Sequence, residues 1–188
     1  TLLRVHKLAF EFHRHMLRDY DYPTDIVFSC PNYCKVDLLV TRDRGEKMHL
    51  SQSEITSVTQ LLLHHGYKKG LADTRRLGDE MDLPVKPTTD AKYLEIGLTT
   101  KADNADFFFD RLVTRNNVPA RACSFWGDEL GFLAEGVRGS DALTITEQTR
   151  GADFFDVSDS TLQLPSNVSR VGGGVDAFLT FLEQQAAK

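Results

Sequence analysis

Apolar residues Leu2, Leu3, Val5, Leu8, Ala9, Phe12, Met16 and Leu17 recur at helical spacing and predict an amphipathic helix over residues 2–18. Asp19-Tyr20-Asp21-Tyr22-Pro23 then breaks the pattern. Short apolar runs predict strands at 25–29 and 35–40. Ser51, with Glu54 three residues later, marks a helix start, and Ile55, Val58, Leu61 and Leu62 carry that helix toward Gly66. Residues 68–90 are polar and read as a loop or weak hairpin. Tyr93–Ile96 is strand-like. Residues 103–113 predict a helix with Phe107, Phe108, Leu112 and Val113 inward and Asp103 as its cap. After the turn at 116–119 a short run ends in Gly127-Asp128. Residues 143–146 predict a further strand, and the last helix has Ala177, Phe178, Phe181 and Leu182 inward. The β-α-β alternation of the C-terminal half implies a parallel sheet flanked by helices.

A strand that ends in Gly127-Asp128-Glu129 presents carboxylates at the edge where open α/β sheets bind ligands. The glycine lets the backbone approach a ligand closely. Carboxylate oxygens there suit Mg2+. The rest of the composition narrows the classes. The 188 residues suffice for a domain with a sizeable core, and 41% hydrophobic with 26% charged is ordinary globular usage. A net charge of −5 with no basic run disfavours nucleic acid as a partner. No apolar stretch approaches the roughly 20 residues that span a bilayer, and no signal peptide is visible, so a cytoplasmic protein with no membrane partner is expected. Three cysteines, Cys30, Cys34 and Cys123, read as free thiols, and His13 and His15 as solvated surface. Gly172-Gly173-Gly174 matches no nucleotide-binding fingerprint and reads as a flexible lead into the last helix.

The order Leu94-Glu95-Ile96, then Lys101 at a helix start, then Gly127-Asp128, then Gly139-Ser140-Asp141, resembles the haloacid dehalogenase superfamily of phosphohydrolases. More narrowly, it is similar to the capped sugar-phosphatase branch. Residues 94–157 carry the resemblance best, and Thr24–Ser29 resembles the strand that precedes the cap. The resemblance implies an α/β fold: a Rossmann-like parallel sheet with flanking helices plus a small α+β cap. Residues 1–40 would be part of the core, 41–92 a cap-like insertion, and 93–188 the core bearing the Lys and acidic motifs. It implies a Mg2+-dependent phosphatase acting on a small phosphorylated substrate such as a sugar phosphate. Lys101 would be catalytic, and Asp128 and Glu129 would be metal ligands. Lys68, Lys69, Arg75 and Arg76 of the cap region could meet an anionic substrate.

The departures carry expectations of their own. The family's second acid would fall on Phe132 or Leu133, leaving Glu129, Glu135 and Asp141 as substitutes. The family's nucleophile lies in Asp-x-Asp after an apolar strand, and Asp19-x-Asp21 follows a charged helix instead. The expectation is therefore a fragment that lacks an N-terminal segment with the nucleophile and is inactive alone. The rival is a non-catalytic module of the same fold. A receiver-like domain fits less well, because the acidic pair and the lysine come in the wrong order.

Overall fold

The computed structural model describes residues 2–30, 33–38, 67–89, 93–134 and 137–187. The chain divides into two compact units, Thr1–Thr100 and Lys101–Lys188.

In the first unit, helix α1 (Leu2–Tyr20) buries Val5, Leu8, Ala9, Phe12 and Met16 along one face. It ends where Asp21 turns left-handed at φ 50° and the Tyr22 amide donates back to the Met16 carbonyl. Strands β1 (Asp25–Cys30), β2 (Tyr33–Asp37), β3 (Lys86–Thr89) and β4 (Tyr93–Gly97) form an antiparallel sheet in the order β1-β2-β4-β3. Alternation assigns its faces: Cys34, Val36, Leu94 and Ile96 are buried, while Tyr33, Lys35, Tyr93 and Glu95 occupy the other face. Helix α2 (Tyr67–Glu80) packs against α1 and β3. It turns over to β3 at Gly78, where a β-carbon would lie 2.5 Å from Val85.

Two expectations change here. Residues 68–89 hold most of α2 and all of β3 rather than a loop or weak hairpin. The charges that make this stretch look unstructured pair along the helix, as Arg76 with Asp73 and Glu80. Pro87 is accommodated because β3 is an edge strand. Residues 93–97, expected in the parallel core, pair with β2 instead, and so do not share a sheet with the strand that precedes Asp128. The helix expected from Ser51 lies outside the described residues.

The second unit is α/β. Helix α3 (Lys101–Phe109) widens into a π-helical segment, Asp110–Arg115. Strands β5 (Ser124–Gly127), β8 (Asp153–Asp156) and β9 (Val168–Arg170) form a parallel sheet in that order. Between β5 and β8 lie the two-stranded hairpin β6 (Phe132–Ala134) and β7 (Val137–Arg138) and two short 3-10 turns. Helix α4 (Gly174–Ala186) closes the unit. The sheet is covered on both sides. Phe109 of α3 stacks on Phe125, which stacks on Phe154. On the opposite face Trp126 meets Phe155, Phe178 and Phe181. Strand alternation sends adjacent aromatics to opposite layers, which gives helix, sheet and helix in three layers. The chain adopts the expected α/β class with a parallel, Rossmann-like sheet flanked by helices; it also contains a four-stranded antiparallel sheet in the first unit.

Three local expectations fail. Ala105 and Phe109 face inward on α3, while Phe107, Phe108 and Leu112 are exposed, and so is Leu182 on α4. Ala105 and Phe109 stand four apart on one helical face, and Phe107 and Phe108 fall off that face; only Leu112 lies in the π segment. Residues 143–146 are not a strand: Asp141–Thr144 is a 3-10 turn that Thr149 ties down by donating to the Thr144 carbonyl. The next strand is β8. The three glycines of 172–174 all have positive φ, so they form a defined left-handed entry to α4, not a loose one.

Candidate functional site

Strand β5 runs out at Gly127, and the chain turns through Asp128 and Glu129 into the hairpin. It returns at Gly139, whose amide donates to the Gly131 carbonyl at 2.9 Å, and delivers Ser140 and Asp141 beside the strand end. A β-carbon on Gly127 would lie 2.5 Å from the Asp141 carboxylate, so only glycine leaves room for it. Asp141 Oδ2 accepts the amides of Asp128 at 3.0 Å and Glu129 at 3.1 Å.

Lys101 completes the cluster. Its Nζ lies 2.6 Å from Asp141 Oδ1 and donates to Ser140 Oγ at 2.7 Å. The Ser140 hydroxyl donates in turn to Glu129 Oε2 at 2.7 Å, and Ser140 is buried. Lys101 is the first residue of α3, where the positive end of the helix dipole disfavours a cation. The Asp141 carboxylate offsets that placement. With the Lys101 side chain 46% exposed, the ion pair contributes little to stability and more to geometry.

The structure thus brings Lys101, Asp128 and Glu129 together at the C-terminal end of the parallel sheet. Asp128 adds its amide to the network. Its carboxylate is exposed and makes no hydrogen bond or ion pair among the described residues. Of the substitutes for the second acid, Asp141 is at the site and Glu135 lies outside the described residues. Ser140 has a role that sequence reasoning did not assign, although Gly139-Ser140-Asp141 was the signal for it. The fully buried Asp156, in register with Gly127, was also missed; the short run Asp153-Phe154-Phe155-Asp156 carries too few apolar residues to announce a strand.

Other candidates lie elsewhere. Asp19 is in the last turn of α1. Hydrogen bonding from Arg18, and more weakly from His15, holds its carboxyl down to about 2. His15 is not a solvated histidine: it sits between Asp19 at 2.6 Å and Asp73 at 3.5 Å. His13 bonds Thr24. Arg76 is engaged within α2, Arg75 is exposed, and the side chains of Lys68 and Lys69 lie outside the described set. Cys34 is a core residue of the first unit.

The oxygen-only donor set suits Mg2+. The Glu129 and Asp141 carboxylates share one hydrogen-bonded network with the Lys101 ammonium, and Asp128 stands at the same strand end with its carboxylate exposed. No three acidic, histidine or cysteine side chains among the described residues converge as a ready metal cage. Mg2+ does not require one, because it keeps several waters and takes one or two carboxylates.

No protein-family model and no curated protein matches the chain. Among solved structures it is similar to the N-terminally truncated, IMP-bound IMP-nucleotidase of Plasmodium falciparum, with a TM-score of 0.40 and 8% identity. The match covers 69% of this chain and 29% of that one. No helix among the described residues is long and apolar enough to cross a membrane.

Proposed function

We propose that this chain is part of a Mg2+-dependent phosphatase of the haloacid dehalogenase type that acts on a small phosphate monoester such as a sugar phosphate. The observation that carries the reading is the convergence, at the end of β5, of the Lys101 ammonium with the Asp141 and Glu129 carboxylates, beside Asp128, whose amide joins the same network. Lys101 would meet the equatorial oxygens of a phosphoryl group and neutralise the charge they develop, which is most of the catalytic task in phosphoryl transfer. Asp141 would hold the ammonium, and Ser140 would fix its direction. Asp128 and Glu129 would hold Mg2+, which supplies further charge neutralisation when bound. The attacking carboxylate is not among these residues, and Asp19 is bound up in its own helix turn. A segment outside this chain would supply it. The engagement of both Asp141 oxygens by internal donors favours one second reading, a non-catalytic module of the same fold.

The test is a phosphatase assay on a longer parent chain. Turnover of small monoesters should require Mg2+, vanish with EDTA, and fall by about 100-fold or more in Asp128→Asn. The 188-residue chain alone should be inactive. Metal-independent turnover, or Asp128→Asn at the wild-type rate, would count against the reading. Mg2+ binding with no turnover in the parent would favour the non-catalytic module.

A further inference from the structure

Asp156 is the only fully buried carboxylate among the described residues, and the chemistry above makes no use of it. It ends β8, in register with Gly127 on one side and Arg170 on the other. Its carboxylate accepts the Ser158 hydroxyl at 3.0 and 2.9 Å and lies 3.3 Å from Arg170 Nη1. Arg170 reaches further. It donates to the Ser160 carbonyl and, at 2.5 Å, to the Leu162 carbonyl. One guanidinium therefore ties the buried acid to two backbone positions of the connection between β8 and β9. Only a planar fork of donors can do this from one place.

That connection in turn touches the hairpin. The Phe132 amide donates to the Gln163 carbonyl at 2.9 Å. Leu162 packs so closely on Gly131 that a β-carbon there would come within 2.9 Å of it. Gly131 and Phe132 begin the excursion that leaves at Glu129 and returns at Ser140. A continuous path therefore runs from Asp156 and Arg170, through Leu162 and Gln163, to the hairpin base and the Lys101 cluster. Burial pushes the Asp156 carboxyl above its ordinary value despite Ser158 and Arg170. The fold thus holds a carboxylate where burial disfavours its charged form.

We propose that Asp156 and Arg170 are positioning residues for the Lys101–Asp141 cluster: they pin the 158–163 segment against the hairpin base and so fix Glu129 relative to Ser140 and Asp141. Their effect on catalysis rests on the phosphatase reading; their effect on the cluster's geometry does not.

The experiment uses the full 188-residue chain, isotopically labelled, with Arg170→Met, Arg170→Lys and Asp156→Asn. The Arg170 side chain is 36% exposed, so its replacement leaves the core packing in place. Arg170→Met should speed amide exchange at Phe132 by about tenfold or more, while β8 amides stay within about twofold. The amide signals of Asp128 and Glu129 should shift, because their acceptor is Asp141. Arg170→Lys keeps the charge without the fork and should fall between Met and wild type. In an active parent, kcat should drop by about tenfold with KM held within about twofold. Unshifted Asp128 and Glu129 amides beside a freed Phe132 amide would overturn the proposal. So would equal loss of protection across β8, since the pair would then merely hold the sheet. An inactive wild-type parent in which the amide shifts are still seen would sink the phosphatase reading and leave the positioning intact.

Discussion

Two lysine–carboxylate pairs separate the two units. In the first, Lys35 and Glu95 lie 2.8 Å apart as direct partners in the register of β2 and β4. In the second, Lys101 and Asp141 lie 2.6 Å apart with no strand register to pair them. The first is what an antiparallel sheet does with opposed charges, as a cross-strand pair on a half-buried face. Tyr33 and Thr88 add hydrogen bonds to Glu95, and Lys35 lies 5.0 Å from the centre of the Tyr93 ring. The second pair is assembled beyond the strand end, by a helix start, a returning hairpin and the clearance that Gly127 leaves. One chemical pair thus serves cohesion in mid-strand and convergence at a strand end. Position in the fold, more than residue type, separates the two roles.

The sharpest way to break this contrast is to neutralise each carboxylate in an active parent. Asp141→Asn keeps the shape and removes the charge that holds Lys101. Turnover should fall by about 100-fold or more, as when a preorganised electrostatic contact is lost. Glu95→Gln should leave turnover within about twofold. Comparable losses of kcat in both variants would show that the two pairs do not divide as described.

Stability should reverse the order. Glu95 is 13% exposed and has a lysine, a tyrosine and a threonine around it. Glu95→Ala removes the carboxylate that Lys35, Tyr33 and Thr88 all bond and should cost about 1–3 kcal/mol in urea unfolding. Asp141→Asn retains a side-chain oxygen for the Asp128 and Glu129 amides and should cost less than Glu95→Ala. A larger loss for Asp141→Asn would make the second pair a structural element.

What the sequence disclosed follows the same division. α1 was legible because Val5, Leu8, Ala9, Phe12 and Met16 keep a single period over about three turns. The end of β5 was legible because Gly127 and Asp128 are individually diagnostic. α2 was hidden because its stability lies in tertiary packing and charge pairs, with two glycines in its interior. The exposed Phe107 and Phe108 misled because apolar character alone does not say which face a helix turns inward. The site was legible as motifs and not as a network. Ser140 bridges Lys101 and Glu129 only after a ten-residue excursion folds back, and nothing local encodes that contact.

The smallest expected effect is a pH dependence, and it separates a buried acid in the second unit from the half-buried pairs of the first. Burial raises the Asp156 carboxyl above 3.8, while the Ser158 hydroxyl and Arg170 draw it partway back. A carboxyl raised in the folded state binds its proton more tightly there than in the unfolded chain. Its contribution to stability is therefore full below the unfolded value of about 4 and is lost as pH rises through the raised value. Asn does not titrate. The stability of Asp156→Asn relative to wild type should accordingly improve as pH rises across that window and level off above it. Trp126, the chain's one tryptophan, packs in the second unit against Phe155 and Phe181, so its fluorescence reports that unit's unfolding. Urea midpoints of both proteins from about pH 4 to pH 7 give the comparison. A difference that is flat, or that moves toward wild type as pH rises, would mean that Arg170 and Ser158 compensate the buried charge fully. The carboxylate would then carry no stability cost, and its burial would give no reason to assign it a positioning role.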